Sequence, residues 1–314
     1  MTTGRMINAN GIELWTEEFG DPAHPPVLLI AGSMSQGLLW PDALVGRLAA
    51  AGRRVIRYDH RDTGRSSVID FEADPYTWAD LKDDALAVLD AYGIEAAHLV
   101  GHSAGGLVAQ WIAGEHAGRA LSLTVIGSSP LGRREGEVIV RALTGEPARP
   151  GDLPPPTPEF VDFFTRVAAN PPAPDRKSMI DFAIETARML AGPDLPFDED
   201  EQRRQEERIH DRARRPGSEA GHQRAGMADL TVEPVGLLGR ITAPTLVVEG
   251  TREPAKPGHG ALIAAEIPGA GLLMIEGMGH TLPPQVLDEL AAALLTHTDT
   301  RTGTRTRTDT GPVT

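Results

Sequence analysis

The stretch Leu99-Val100-Gly101-His102-Ser103-Ala104-Gly105-Gly106 constrains this chain more than any other. Strand formers from Ala97 to Val100 run into Gly101-His102-Ser103-Ala104-Gly105, and the helix-compatible run Leu107 to Ala113 follows. Strand, tight turn and helix in that order give a G-x-S-x-G match the context of a nucleophile elbow. The flanking glycines let strand and helix approach closely, so Ser103 projects its hydroxyl while amides of the helix N-terminus face any developing negative charge. The bare pattern also arises by chance in a chain with 34 glycines, so the remaining sequence must supply partners for it. A serine hydroxyl needs an adjacent base, itself oriented by a third group. With an elbow of this kind an acid and then a histidine follow downstream, in that order.

Length and composition are compatible with that demand. A chain of 314 residues, 40% hydrophobic and 24% charged, can bury a sizeable core as one large domain or two small ones. Its formal charge of -14 argues against nucleic acid and anionic membranes as partners, because both would repel it. There is no cysteine, which removes disulfides, thiolate metal sites and a thiol nucleophile. The longest apolar runs fall well short of a membrane span, and Met1-Thr2-Thr3-Gly4-Arg5 lacks the apolar core of a signal peptide. A cytoplasmic protein acting on a small molecule, with no metal, is the expectation.

Along the chain, Ile12 to Thr16 alternates as a half-buried strand, and Val27 to Ala31 is continuously apolar, as a strand covered on both faces should be. It ends in Gly32-Ser33-Met34-Ser35, where a scaffold with this elbow needs a loop that supplies an oxyanion-hole amide. Ser33 and Ala104 are the candidate backbone donors. A helix is predicted over Pro41 to Ala51, a strand over Arg54 to Tyr58, and a helix from Thr77 to Tyr92 with Thr77 as N-cap and Gly93 closing it. The charged run Asp59 to Ser67 reads as a loop laced by its own hydrogen bonds. Strands alternating with helices imply a parallel sheet.

After a strand at Ala120 to Gly127 the pattern changes. From about Leu131 to Gly239 helical segments are separated by breaks such as Leu153-Pro154-Pro155-Pro156. Phe160, Phe163 and Phe164, then Met179, Phe182 and Met189, recur at helical spacings. They form either the packing of an ordinary helical insertion or the underside of a lid for a bulky, flat, apolar ligand. On the second reading the substrate surface comprises Trp40, Phe160, Phe163, Phe164, Met179, Phe182 and Met278. Glu199 to Arg215 reads as a solvated helix face. The sheet resumes at Ala243 to Gly250, and Thr251-Arg252-Glu253-Pro254 places a carboxylate at a strand's C-terminal end, where catalytic groups gather in open α/β sheets. Glu253 is therefore the candidate acid, with Glu249, inside the strand, as competitor. A last strand, Leu272 to Glu276, leads to Gly277-Met278-Gly279-His280. Ser103, Glu253 and His280 thus stand in the order the elbow requires. A helix from Gln285 to Leu295 closes the fold, and the Thr-rich tail has little to bury.

The elbow, the acid, the Met-Gly-His motif and the helical insertion resemble the α/β-hydrolase family. Within it, Gly11 to Trp15, Phe19-Gly20-Asp21-Pro22, Ile56 to Ser66, and Gly277-Met278-Gly279-His280 with Leu282-Pro283 are similar to the aclacinomycin methylesterase group. That resemblance implies a mostly parallel central sheet with helices on both faces and a helical lid inserted after the sixth strand. The corresponding divisions are 1–130 with 240–298 as core, 131–239 as lid, and 299–314 as a disordered tail. It also implies cofactor-free hydrolysis of the methyl ester of a glycosylated anthracycline-type aromatic polyketide. Glutamate stands at 253 where the group has aspartate, and Ser33 follows the first loop's glycine where a small residue is usual. Because fold does not fix function, a cyclase, lyase or decarboxylase of a polyketide pathway is the alternative on the same scaffold.

Overall fold

The computed structural model describes residues 3–228 and 234–299. The expected disordered tail, apart from Asp299, lies outside them. One eight-stranded sheet runs through the molecule in the order β1-β2-β4-β3-β5-β6-β7-β8. Its strands are β1 (Thr3–Ala9), β2 (Ile12–Phe19), β3 (Pro26–Ile30), β4 (Arg54–Tyr58), β5 (Ala97–His102), β6 (Ala120–Ile126), β7 (Thr245–Gly250) and β8 (Gly271–Ile275). β2 pairs antiparallel with both β1 and β4, and every other pairing is parallel. The sheet is thus mostly parallel, as the alternation of strands and helices predicts. β1 is additional to the expected strands; it joins β2 through Asn10-Gly11, both at positive φ, the residue pair that a tight hairpin turn favours.

The period of the strand side chains explains the two-sided core. Leu28 and Ile30 of β3 point to one face, Val27 and Leu29 to the other. The first face packs on α2 (Trp78–Ala91), α3 (Ala104–Glu115) and α9 (His259–Glu266), through Leu81, Val88, Val108, Ile112 and Ile263. The second packs on α1 (Asp42–Ala50) and α10 (Leu287–Thr298), through Leu44, Leu48, Leu290 and Leu294. Strands buried on both faces need continuous apolar sequence, which is why β3 and β5 read that way. The start of α2 carries a capping box in which Thr77 and Asp80 satisfy each other's backbone amides, and Gly93 follows its end at φ 65°.

Between β6 and β7 the chain leaves the sheet, and the described residues there form five α-helices: α4 (Glu135–Thr144), α5 (Pro158–Ala169), α6 (Arg176–Ala191), α7 (Glu199–Arg212) and α8 (Gly221–Ala228). The charged run on α7 buries none of its residues. Several of its charges pair with α6, including Arg203 with Asp181 and Glu199 with Arg188. No helix among the described residues is long and apolar enough to cross a membrane.

Candidate active site

The elbow forms as its residues require. Ser103 sits between β5 and α3 with φ 53° and ψ -124°, a left-handed backbone that a non-glycine residue adopts only under constraint. That constraint is close packing: a Cβ on Gly101 would collide with the Gly105 carbonyl, and one on Gly105 with the carbonyls of Ile30 and Ala31. The turn is tied to the sheet by the Ser103 amide, which donates to Ile126 O at 2.8 Å. The first loop passes directly beside it, since a Cβ on Gly32 would lie 3.1 Å from Ser103 Cβ. Ser33 follows in that loop, and Ala104 opens α3. Met34, the next residue, has φ 61°.

The acid and the histidine meet across two other strand ends. Glu253 lies in the loop after β7, and His280 in the loop after β8. His280 Nδ1 is 2.7 Å from Glu253 Oε2. The second carboxylate oxygen accepts the amides of Ala255 at 2.9 Å and Lys256 at 3.2 Å. Glu253 is 3% exposed. Burial pushes its carboxyl up, but the adjacent imidazole and the backbone donors together hold it below the usual range. An ionised carboxylate only accepts, so Nδ1 carries the proton and Nε2 of the neutral ring is left as the basic nitrogen. Gly127, at the end of β6, makes room for the pair, because a Cβ there would lie 3.2 Å from Glu253 Oε2 and 3.3 Å from His280 Nδ1. The two loops are stitched by Arg252 N donating to Met278 O at 2.9 Å and Gly277 N to Thr251 Oγ1 at 2.9 Å. Glu249, the competing acid, faces elsewhere: its carboxylate accepts the amides of Gly258 and Gly260 around the start of α9.

His102 and His222, which the sequence does not flag, hold the backbone around this site. His102 Nε2 donates to the His280 carbonyl at 2.7 Å, and burial pushes its imidazole down to about 3, so it stays neutral. His222, on α8, accepts the Met34 amide at Nδ1 (2.9 Å) and donates from Nε2 to Arg61 O (2.8 Å). Burial likewise holds it down to about 3. Lys256, in the acid loop, donates to Ser103 Oγ at 3.2 Å and pairs with Glu135 at 3.0 Å.

The expected substrate surface is corrected in part. Trp40 and Met278 have no accessible surface and belong to the core on the α1 and α10 face, packed with residues such as Leu29, Val100 and Ile275. Side chains filled in on all sides cannot line a ligand site. Phe160, Phe163, Phe164 and Phe182 do come together, with ring centroids 4.6 Å apart for Phe160 and Phe164 and 6.4 Å for the stacked pair Phe163 and Phe182. Phe160 and Phe163 are buried, while Phe164, Met179 and Phe182 are partly exposed. The 59–67 loop is internally bonded, as expected. Asp59 accepts the amides of Gly37 and Arg65 and pairs with Arg212, and Arg61 holds Asp84 through two hydrogen bonds. Among the described residues no group of three or more His, Asp or Glu side chains is placed to hold a metal ion.

A parallel sheet with a strained serine at an elbow, and an acid and a histidine at later strand ends, defines a class, and sequence comparison agrees with it. Residues 27–293 match the alpha/beta hydrolase family, and the chain belongs to that family. Among its relatives are the rhodomycin D methylesterases DauP of Streptomyces sp. (strain C5) and DnrP of Streptomyces peucetius. Each is 42% identical over 305 residues, covering 94% of this chain and 97% of the relative. A similar solved structure is the esterase EaEST of Exiguobacterium antarcticum, with TM-score 0.71 and 20% identity over 94% of this chain and 99% of that one.

Proposed function

We propose that the protein is a serine carboxylesterase that removes the methyl ester of a glycosylated anthracycline-type aromatic polyketide. The observations that carry the chemistry are the Glu253–His280 hydrogen bond and the strained backbone of Ser103 at the elbow. The substrate class rests on the whole-length similarity to two rhodomycin D methylesterases. His280 Nε2 takes the proton of Ser103 as Oγ attacks the ester carbonyl. The amides of Ser33 and Ala104 hold the oxyanion, and the positive end of α3 adds to their effect. The imidazolium, stabilised by Glu253, then protonates departing methanol, and a water activated by the same nitrogen releases the acid. The aromatic group of Phe160, Phe163, Phe164 and Phe182 is suited to a flat ring system, and the 131–239 segment that carries it acts as the lid over the acyl group.

The direct test of the nucleophile is a serine-directed phosphonate. It is expected to add once, at Ser103, and Ser103→Ala should lose both the adduct and turnover. Labelling that survives the substitution would remove Ser103 from the mechanism.

A further inference from the structure

Lys256 is one of three lysines in the chain, and it is buried. It stands in the same loop as Glu253, and its ammonium reaches Ser103 Oγ at 3.2 Å and Glu135 Oε1 at 3.0 Å. Glu135 opens α4, so the pair forms only when the insertion is docked on the acid loop. Burial pushes the Glu135 carboxyl up, but the neighbouring ammonium more than offsets this and keeps it ionised. An ammonium clamped by an ionised carboxylate has no lone pair with which to take the serine proton. It acts here as a donor, not as a second base.

We propose that Lys256 is a further catalytic residue of the ester hydrolysis, donating a hydrogen bond to Ser103 Oγ as that oxygen leaves the acyl-enzyme, with Glu135 as its positioning residue. The proposal rests on the reading of Ser103 as nucleophile. In deacylation, water adds to the acyl carbon and gives a proton to His280 Nε2. The carbon–Oγ bond then breaks, its electron pair goes to Oγ, and His280 returns the proton there. Lys256 keeps all three of its protons and lowers the energy of the charge that builds on Oγ. The same hydrogen bond makes Oγ less basic, which eases its deprotonation but weakens it as an attacking group. Its effect on acylation is therefore small, and its net gain falls on deacylation. Glu135 holds the ammonium at the angle that reaches Oγ.

The test follows single-turnover reaction with para-nitrophenyl acetate, reading nitrophenolate release for acylation and intact mass for the acetyl adduct. In Lys256→Met, acylation should stay within about 3-fold of the unsubstituted enzyme, while deacylation slows by roughly 10- to 100-fold and acetyl-Ser103 accumulates. Glu135→Gln should slow deacylation in the same direction by a smaller factor, and it serves as the readout if Lys256→Met does not fold. Unchanged deacylation in either folded variant, or equal losses in both steps, would overturn the proposal. An unsubstituted enzyme that forms no adduct at Ser103 would instead overturn the nucleophile assignment, and this inference with it.

Discussion

Glutamate at position 253 reaches one methylene further than aspartate would, and both of its carboxylate oxygens have partners. One carboxylate oxygen is held by the Ala255 and Lys256 amides, which leaves the other aimed at His280 Nδ1. Replacing the carboxylate by an amide, Glu253→Gln, keeps the shape but removes the preference for the Nδ1–H tautomer. We expect kcat to fall by about 10⁴-fold with the fold retained, the scale of such a change in a serine triad. Glu253→Asp keeps the charge while withdrawing it by about 1.5 Å, so partial activity is expected. Steady-state kinetics on one methyl ester checks both, and near-unchanged kcat in Glu253→Gln would assign the acid elsewhere. At this scale the pairing of Glu253 with His280 is legible, because the elbow demands an acid and then a histidine downstream and each of the two follows a strand. Lys256 is not, since a lysine in a proline-rich loop carries no periodic signal and its partner lies in a distant insertion. Trp40 and Met278 mislead for the opposite reason: residue type suggests an apolar ligand surface, and only packing shows that neighbouring side chains fill it.

The helical insertion frames the loops that carry Glu253, His280 and Ser33. The Leu190 carbonyl at the end of α6 accepts the His280 amide at 2.6 Å. Asp194 pairs with Arg252, the Thr157 amide donates to Pro254 O, and His222 on α8 fixes Met34 beside Ser33. His222→Ala would leave the Met34 amide without its acceptor, at a cost of about 1–3 kcal/mol. Because the strained first loop loses its anchor, kcat should fall together for a polycyclic and a small activated ester, with KM little changed. A loss confined to the polycyclic ester would make His222 part of the substrate surface instead. The buried pair of Arg61 and Asp84 ties the 59–67 loop to α2. Asp84→Ala strands a buried guanidinium and should lower unfolding free energy by about 3–5 kcal/mol in urea melts. Apart from β1 and α9, the helices and strands of the core are readable from apolar periodicity and from the Thr77 cap. How the insertion docks is not, because its contacts run from backbone carbonyls and isolated polar side chains, which leave no pattern along the chain.

For the molecule as a whole, buried histidines make stability depend on pH. Burial holds the imidazoles of His60, His98, His102, His222, His259 and His297 below the ordinary value of 6.5, with His98 down to about 4 and His102 and His222 to about 3. Below pH 6.5 the unfolded chain takes up protons that the native state refuses, so stability falls as pH drops toward the folded values. For the fully buried His102 and His222 the cost is about 1.4 kcal/mol per pH unit across that interval. Glu253 adds a loss in the same direction only at lower pH, as its depressed carboxyl protonates. Urea unfolding should therefore give a clearly smaller free energy at pH 5 than at pH 7, and equal values would contradict buried neutral imidazoles. The central claim is Ser103-dependent hydrolysis of the methyl ester by cleavage between the acyl carbon and the methoxy oxygen, and isotopically heavy water oxygen tests it most directly. A glycosylated anthracycline methyl ester hydrolysed in such water should yield unlabelled methanol and an acid carrying one heavy oxygen, with neither product formed by Ser103→Ala. Heavy oxygen in the methanol, or a product that has lost carbon dioxide without passing through the labelled acid, would contradict it.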